Sequence, residues 1–138
     1  MRFIDANVFL YSVVRPRGKV SKEILERKEK AKQILLRVEN GEEVVTTAVH
    51  LSEVANILEA KLNLSTALKF LENLLLAENV RILAVSQEDY LRALLIAKEK
   101  NVSVNDALAY LKMKETNVEE IYTFDNHFRN LDVRIVQG

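Results

Sequence analysis

Arg2-Phe3-Ile4-Asp5 near the amino terminus is an apolar, extended run closed by an acid, and Ile121-Tyr122-Thr123-Phe124-Asp125 answers it near the other end. Aromatic and β-branched residues favour the pleated, half-buried surface of a strand. The strands predicted from this pair are Arg2 to Ile4 and Ile121 to Thr123. Three more runs share the character: Val44 to Thr46, Arg81 to Leu83 and Val133 to Val136. All are short, and longer stretches with helical periodicity separate them. That alternation is the pattern of repeated βα units around a parallel sheet, an α/β fold.

Between the first two strands, Ile24, Leu25, Ala31, Ile34, Leu35 and Val38 recur at helical spacing from Ser21 to Asn40. Ser21 is placed to cap the start, and Gly41 lies just past the end. Further helices are predicted from about Ala48 to Leu62, Ser65 to Ala77, Ser86 to Lys100 and Ser103 to Glu115. The expected order is β-α-α-β-α-α-β-α-α-β-α-β. The segment from Ser65 to Ala77 carries Ala67, Leu68, Phe70, Leu71, Leu74, Leu75 and Leu76, an apolar arc wider than one packing face requires. This predicts a homodimer interface; a core helix covered on two sides is the other reading.

The 138 residues fit one domain spanning 1–138, and 49% apolar with 29% charged residues is a composition that folds. Only three glycines and one proline, Pro16, leave no room for a flexible linker. The absence of cysteine excludes disulfides, zinc ribbons and thiol nucleophiles. Asp5 interrupts the amino terminus too early for a secretory leader, and no apolar run approaches the ~20 residues needed to cross a bilayer. A cytoplasmic protein with no membrane partner is expected. The net charge is zero, yet nine basic residues stand against three acids from Arg15 to Arg37, a local +6. This run reads either as a solvated helix face or as an arm contacting phosphates, whose binding would weaken with salt.

Several chemistries lack their motifs. There is no glycine-rich dinucleotide or P-loop cradle and no G-x-S-x-G elbow, and His50-Leu51-Ser52-Glu53-Val54 lacks the second histidine of a zinc-protease site. Four acids remain at telling positions. Asp5 and Asp125 follow strands, and ligands of open α/β sheets bind beyond strand carboxyl ends. Glu53 and Asp106 fall in early turns of helices that follow strands, pointing to the same edge. On a helical wheel Asp106 lies roughly opposite Val104, Ala107, Leu108 and Leu111, and Glu53 opposite Leu51, Val54, Ala55, Leu58 and Leu62, so both acids are expected to be free of the core. Each also has a structural reading: Asp106 as partner in a Ser103 capping box, Glu53 as an exposed helical glutamate, Asp5 and Asp125 as caps or turn formers. Gathered at one edge, four carboxylates would raise each other's pKa unless a cation neutralised them. All-oxygen ligation suits Mg²⁺ or Mn²⁺ and the positioning of groups in phosphoryl transfer.

These residues resemble the PIN-domain family, in particular the VapC-type toxins of prokaryotic toxin–antitoxin pairs. Phe3-Ile4-Asp5-Ala6-Asn7 is similar to the opening acid-x-Asn motif, and Ser52-Glu53-Val54 to the second acid on the helix after strand two. Asn105-Asp106-Ala107-Leu108 resembles the third acidic motif, and Thr123-Phe124-Asp125-Asn126-His127-Phe128 the closing T-x-D-x-x-F segment. The resemblance covers essentially the whole chain. It implies a three-layer α/β/α sandwich around a mostly parallel five-stranded sheet, and Mg²⁺- or Mn²⁺-dependent endoribonuclease activity on RNA. It also implies inhibition by a cognate VapB-type antitoxin, and a homodimer.

On this reading Asp5, Asp106 and Asp125 hold one or two divalent ions, while Glu53 completes the cluster and orients or deprotonates the attacking water. Asn7 and Thr123 are supporting candidates that would orient Asp5 and Asp125. His127, two residues from Asp125, and His50 are left outside the site. A haloacid-dehalogenase-type phosphatase fails at Asn7, where that chemistry needs a second acid. A catalytically idle PIN-like scaffold that binds metal or a partner is the alternative reading.

Overall fold

The computed structural model describes residues 1–15 and 17–137; Pro16, in the basic segment, and Gly138 lie outside them. Five strands, β1 (Arg2–Ile4), β2 (Val44–Thr47), β3 (Val80–Leu83), β4 (Glu120–Tyr122) and β5 (Arg134–Val136), pair in the order β3-β2-β1-β4-β5. Every pairing is parallel, with Phe3 opposite Val45 on one side and Ile121 on the other.

Six helices connect them: α1 (Ala6–Val13), α2 (Lys22–Glu39), α3 (Ala48–Lys61), α4 (Leu64–Leu76), α5 (Gln87–Lys100) and α6 (Val104–Glu115). Alternation along the strands divides the core in two. Ile4, Val44 and Tyr122 pack with Val8, Ile34, Val54 and Leu74 of α1 to α4. Their neighbours Phe3, Val45 and Ile121 face the other way, against Ala109 and Met113 of α6 and Phe128. The period-2 geometry of strands therefore produces three layers, α/β/α, from apolar runs buried on both faces.

Local chemistry sets the boundaries. Ser21 caps α2, its hydroxyl accepting from the Ile24 N–H at 3.2 Å, and Gly41 beyond the end takes φ +108°, a conformation that suits glycine. Helix α4 starts earlier than the expected Ser65: Asn63 is the cap, its side-chain oxygen accepting from the Thr66 N–H at 2.7 Å. After β4, in place of an α-helix, Asn126–Asn130 forms a 3-10 helix, because Asp125 caps His127 only two residues on and β5 follows within a few residues.

Some basic residues of the positive run have structural partners. Lys28 donates to the carbonyls of Tyr11, Ser12 and Val14 at the end of α1, Arg27 pairs with Glu23 and the Tyr11 hydroxyl, and Arg37 donates to the Tyr122 hydroxyl. On α4, Ala67 and Leu74 are buried, whereas Leu68, Leu75 and Leu76 are exposed, so the chain does not cover this helix on two sides. Helix α5 likewise exposes Leu91, Leu94 and Leu95. Among the described residues no helix is long and apolar enough to cross a membrane.

Candidate metal centre

The strand ends place the first acid. As β1 ends, the Asp5 N–H donates to the Tyr122 carbonyl at 3.0 Å, and its side chain caps α1 by accepting from the Ala6 N–H at 2.8 Å. The other carboxylate oxygen accepts from the Thr123 hydroxyl at 2.8 Å. Thr123, expected to end the strand, has already left it and joins β1 to β4 through its side chain. Its hydroxyl oxygen accepts from Asn7 Nδ2 at 3.3 Å and from the Asp125 N–H at 3.0 Å, while Asn7 Oδ1 accepts from the Phe124 N–H. Asn7 and Thr123 thus fix the spacing of Asp5 and Asp125.

Glu53 and Asp106 come from α3 and α6. Asn105 Nδ2 donates to Glu53 Oε1, tying the two helices together across the cleft. All four acids, with Asn7, Ser103, Val104 and Asn105, line one cleft of about 380 Å³. A neighbouring cleft of about 350 Å³ is lined by Leu10, Tyr11, Val14 and Ile24, but among its lining residues there is no acid.

The helical-wheel expectation for Asp106 is corrected. It is buried, with 5% of its surface accessible, because α6 has two apolar faces. Ala107 and Leu108 pack with Ala93 of α5, while Ala109 and Met113 pack on the sheet. Squeezed between them, the start of α6 carries Asp106 inward. Ser103 caps α6 by accepting from the Asp106 N–H at 3.1 Å, but Asp106 Oδ2 is buried with no hydrogen-bond partner. Glu53, opposite the apolar stripe of α3, is half-buried where it lines the cleft.

Electrostatics follow from this crowding. Burial, then Asp125 and the charge of Asp5, push Asp106 up to about 8. Burial raises Asp5 to about 6 despite its hydrogen bonds from Thr123 and Ala6, and the charge of Asp125 adds to the rise. Among the described residues no lysine or arginine forms an ion pair with any of the four acids; the nearby bases are histidines. A buried, unpartnered carboxylate oxygen within an acid set lacking cations fits a hard divalent ion held by oxygen, which would supply both missing charge and missing partner.

Sequence reading gave no role to two residues. Asn105 holds Glu53, and its position directly before Asp106 was its only signal. His50, left outside the site, is fully buried: Nδ1 lies 2.7 Å from Thr47 Oγ1, its ring packs edge-on against Phe3, and Nε2 points to Asp5 Oδ1 at 3.8 Å. Burial lowers its pKa to about 4, outweighing the charge of Glu53 and the Asn105 backbone, so the ring is neutral at pH 7.

No curated protein matches this sequence. Among solved structures the chain is similar to VapC20 of Mycobacterium tuberculosis, described as a sarcin–ricin-loop-cleaving toxin, at TM-score 0.77 and 20% identity over 100% of both chains. It is also similar to a toxin–antitoxin complex from Klebsiella pneumoniae (TM-score 0.66, 15% identity, 99% of this chain and 96% of that one). A third likeness is to VapBC2 of Rickettsia felis bound to a promoter DNA fragment (TM-score 0.64, 13% identity, 98% and 96%). At these identities the likeness is one of fold. The sequence itself matches the PIN domain over residues 2–134, and the chain accordingly belongs to the PIN-domain family.

Proposed function

We propose that residues 1–138 form one domain that acts in the cytoplasm as a divalent-metal-dependent endoribonuclease, the toxin of a VapBC-type pair held in check by a VapB-type antitoxin. The observation that carries this reading is the cleft in which Asp5, Glu53, Asp106 and Asp125 converge without a lysine or arginine, with Asp106 Oδ2 buried and unpartnered. The similar proteins of M. tuberculosis, K. pneumoniae and R. felis, a toxin and two toxin–antitoxin complexes, support the choice of RNA as substrate and an antitoxin as partner.

In the reaction, water attacks a phosphodiester phosphorus and the bond to the leaving ribose oxygen breaks, yielding a phosphate end and a hydroxyl. Asp5, Asp106 and Asp125 would hold Mg²⁺ or Mn²⁺, which when bound supplies Lewis acidity and neutralises charge on the phosphate. Thr123 and Asn7 hold Asp5 and Asp125 in register, so little reorganisation is needed as charge builds. Glu53, steadied by Asn105, orients the water or takes its proton. The exposed Leu68, Leu75 and Leu76 of α4 are assigned to a homodimer interface, testable by light scattering across micromolar concentrations; a strictly monomeric mass would overturn that assignment.

The test of the function is cleavage of a mixed structured and single-stranded RNA panel by the purified chain with Mg²⁺, Mn²⁺ or EDTA, beside Asp5→Asn. Cutting that needs metal and is lost in the variant is the expected result. Metal binding without cleavage of any RNA would instead favour an idle scaffold.

A further inference from the structure

Beside Asp125, one of the acids of the cleft, stands a nitrogen donor that the four-carboxylate reading does not use. His127, in the 3-10 helix after β4, places Nδ1 3.2 Å from Asp125 Oδ1, and its own backbone N–H donates to that same oxygen at 2.9 Å. Asp125 thus fixes where the residue sits. The ring itself is 70% exposed. One ligand atom each from Asp106, Asp125 and His127 lies within 4.8 Å of the others, close enough to share one ion.

A surface histidine beside an aspartate is ordinarily a weak, screened pair. The partner across the gap argues for more. Asp106 is buried, its Oδ2 has no hydrogen-bond donor, and among the described residues no lysine or arginine reaches it. A ring nitrogen, a half-buried carboxylate and a buried carboxylate with an unpartnered oxygen, all within 4.8 Å of one another, form a ligand set of mixed type.

We propose that His127 is a nitrogen ligand to the ion held between Asp106 and Asp125, making this a mixed nitrogen/oxygen site. The inference rests on the metal-centre reading above and sharpens it. Mg²⁺ takes oxygen ligands and gains little from an imidazole, whereas affinity for nitrogen-containing sites rises through Mn²⁺ towards Co²⁺. The centre therefore favours transition ions over Mg²⁺, and His127 is the residue that sets the preference.

The test needs no RNA. Mg²⁺, Mn²⁺ and Co²⁺ are titrated calorimetrically into wild type, His127→Ala and Asp125→Asn, and the Mn²⁺-loaded proteins are examined by pulsed electron paramagnetic resonance for a directly bound ¹⁴N. Wild type should show the nitrogen signal and His127→Ala should lack it. Co²⁺ affinity of His127→Ala should fall at least about tenfold, a loss that removal of even an outer-shell partner can cause, while Mg²⁺ affinity holds. A nitrogen signal that survives in His127→Ala, or an equal loss for Mg²⁺ and Co²⁺, overturns the proposal. Wild type that binds the ions without a nitrogen signal overturns it while leaving the carboxylate centre standing. Wild type that binds no divalent ion overturns both, and retained helical circular dichroism in each variant excludes unfolding as the cause.

Discussion

Two polar clusters sit at opposite edges of the same sheet and meet the cost of burying charge in opposite ways. At the amino-terminal edge, the Tyr122 hydroxyl accepts from Arg2 at 2.6 Å and Arg37 at 3.2 Å and donates to Glu42 at 2.8 Å. Arg2 also pairs with Glu42 and Glu120. There Arg2 is met by two carboxylates and Arg37 by a hydroxyl, all within the chain. At the carboxyl-terminal edge, four acids line one cleft, no lysine or arginine among the described residues pairs with them, and Asp106 Oδ2 is buried without a hydrogen-bond partner. A cluster closed on itself stabilises a fold, while a cluster left open in charge and in hydrogen bonding is suited to a ligand.

The comparison can be broken experimentally. Its largest expected consequence is for Asp106→Asn: RNA cleavage should fall at least about 10²-fold, the scale on which removing one group that stabilises transition-state charge acts. Without metal the same variant should be more stable than wild type, by about 1 kcal/mol or roughly 2–8 °C in Tm, because Asp106 must take up a proton or bury its charge when the chain folds and an asparagine need do neither. A lower Tm in EDTA would mean that the acid cluster is structural after all.

Adding the ion should stabilise wild type by about 2.7 kcal/mol at one hundred times Kd, since only the folded chain presents the cleft, and thermal melts against Mn²⁺ concentration check this. Tyr122→Phe should do the reverse in both respects. It removes a hydroxyl with three partners and should cost about 1–3 kcal/mol in denaturant unfolding, yet leave metal binding and cleavage unchanged.

The same buried acid also gives a slope with pH. Above about pH 6.5 the unfolded chain's His50 is giving up its remaining proton, and Asp106 with its pKa near 8 is the group that differs most between folded and unfolded chains. The native chain then binds more protons than the unfolded one, so metal-free stability falls as pH rises from about 6.5 to 8, by at most about 1.4 kcal/mol per unit. Below that window the elevated Asp5, near 6, and the depressed His50, near 4, act in opposite directions. Urea unfolding in EDTA should record the decline, Asp106→Asn should flatten it, and saturating metal should remove it.

What could be read along the chain came from contacts of short range. Ser21 capping, Gly41 termination, the strand at Arg2–Ile4 and the helices starting near Ala48 and Ser86 all follow from the nearest few residues and the period of their apolar positions. So did the placing of Asp5 and Asp125 at strand ends, which needs only a strand and its boundary. The unequal treatment of Leu71 and Leu75 on α4, one half-buried and one exposed, was not visible, because it depends on which neighbours arrive.

The α/β alternation, the capped helices and four acids at helix starts and strand ends follow from local rules, because propensity, capping and periodicity act over a few residues. The burial of Asp106 came only with the packed fold, since a wheel assumes one apolar face and α6 is pressed by both α5 and the sheet. Only that fold turned His50 into a buried neighbour of Asp5 and brought His127 beside Asp106, two residues that lie 21 positions apart in the chain. Burial and the meeting of charges depend on what packs from elsewhere, and that information is carried by no single stretch of the sequence.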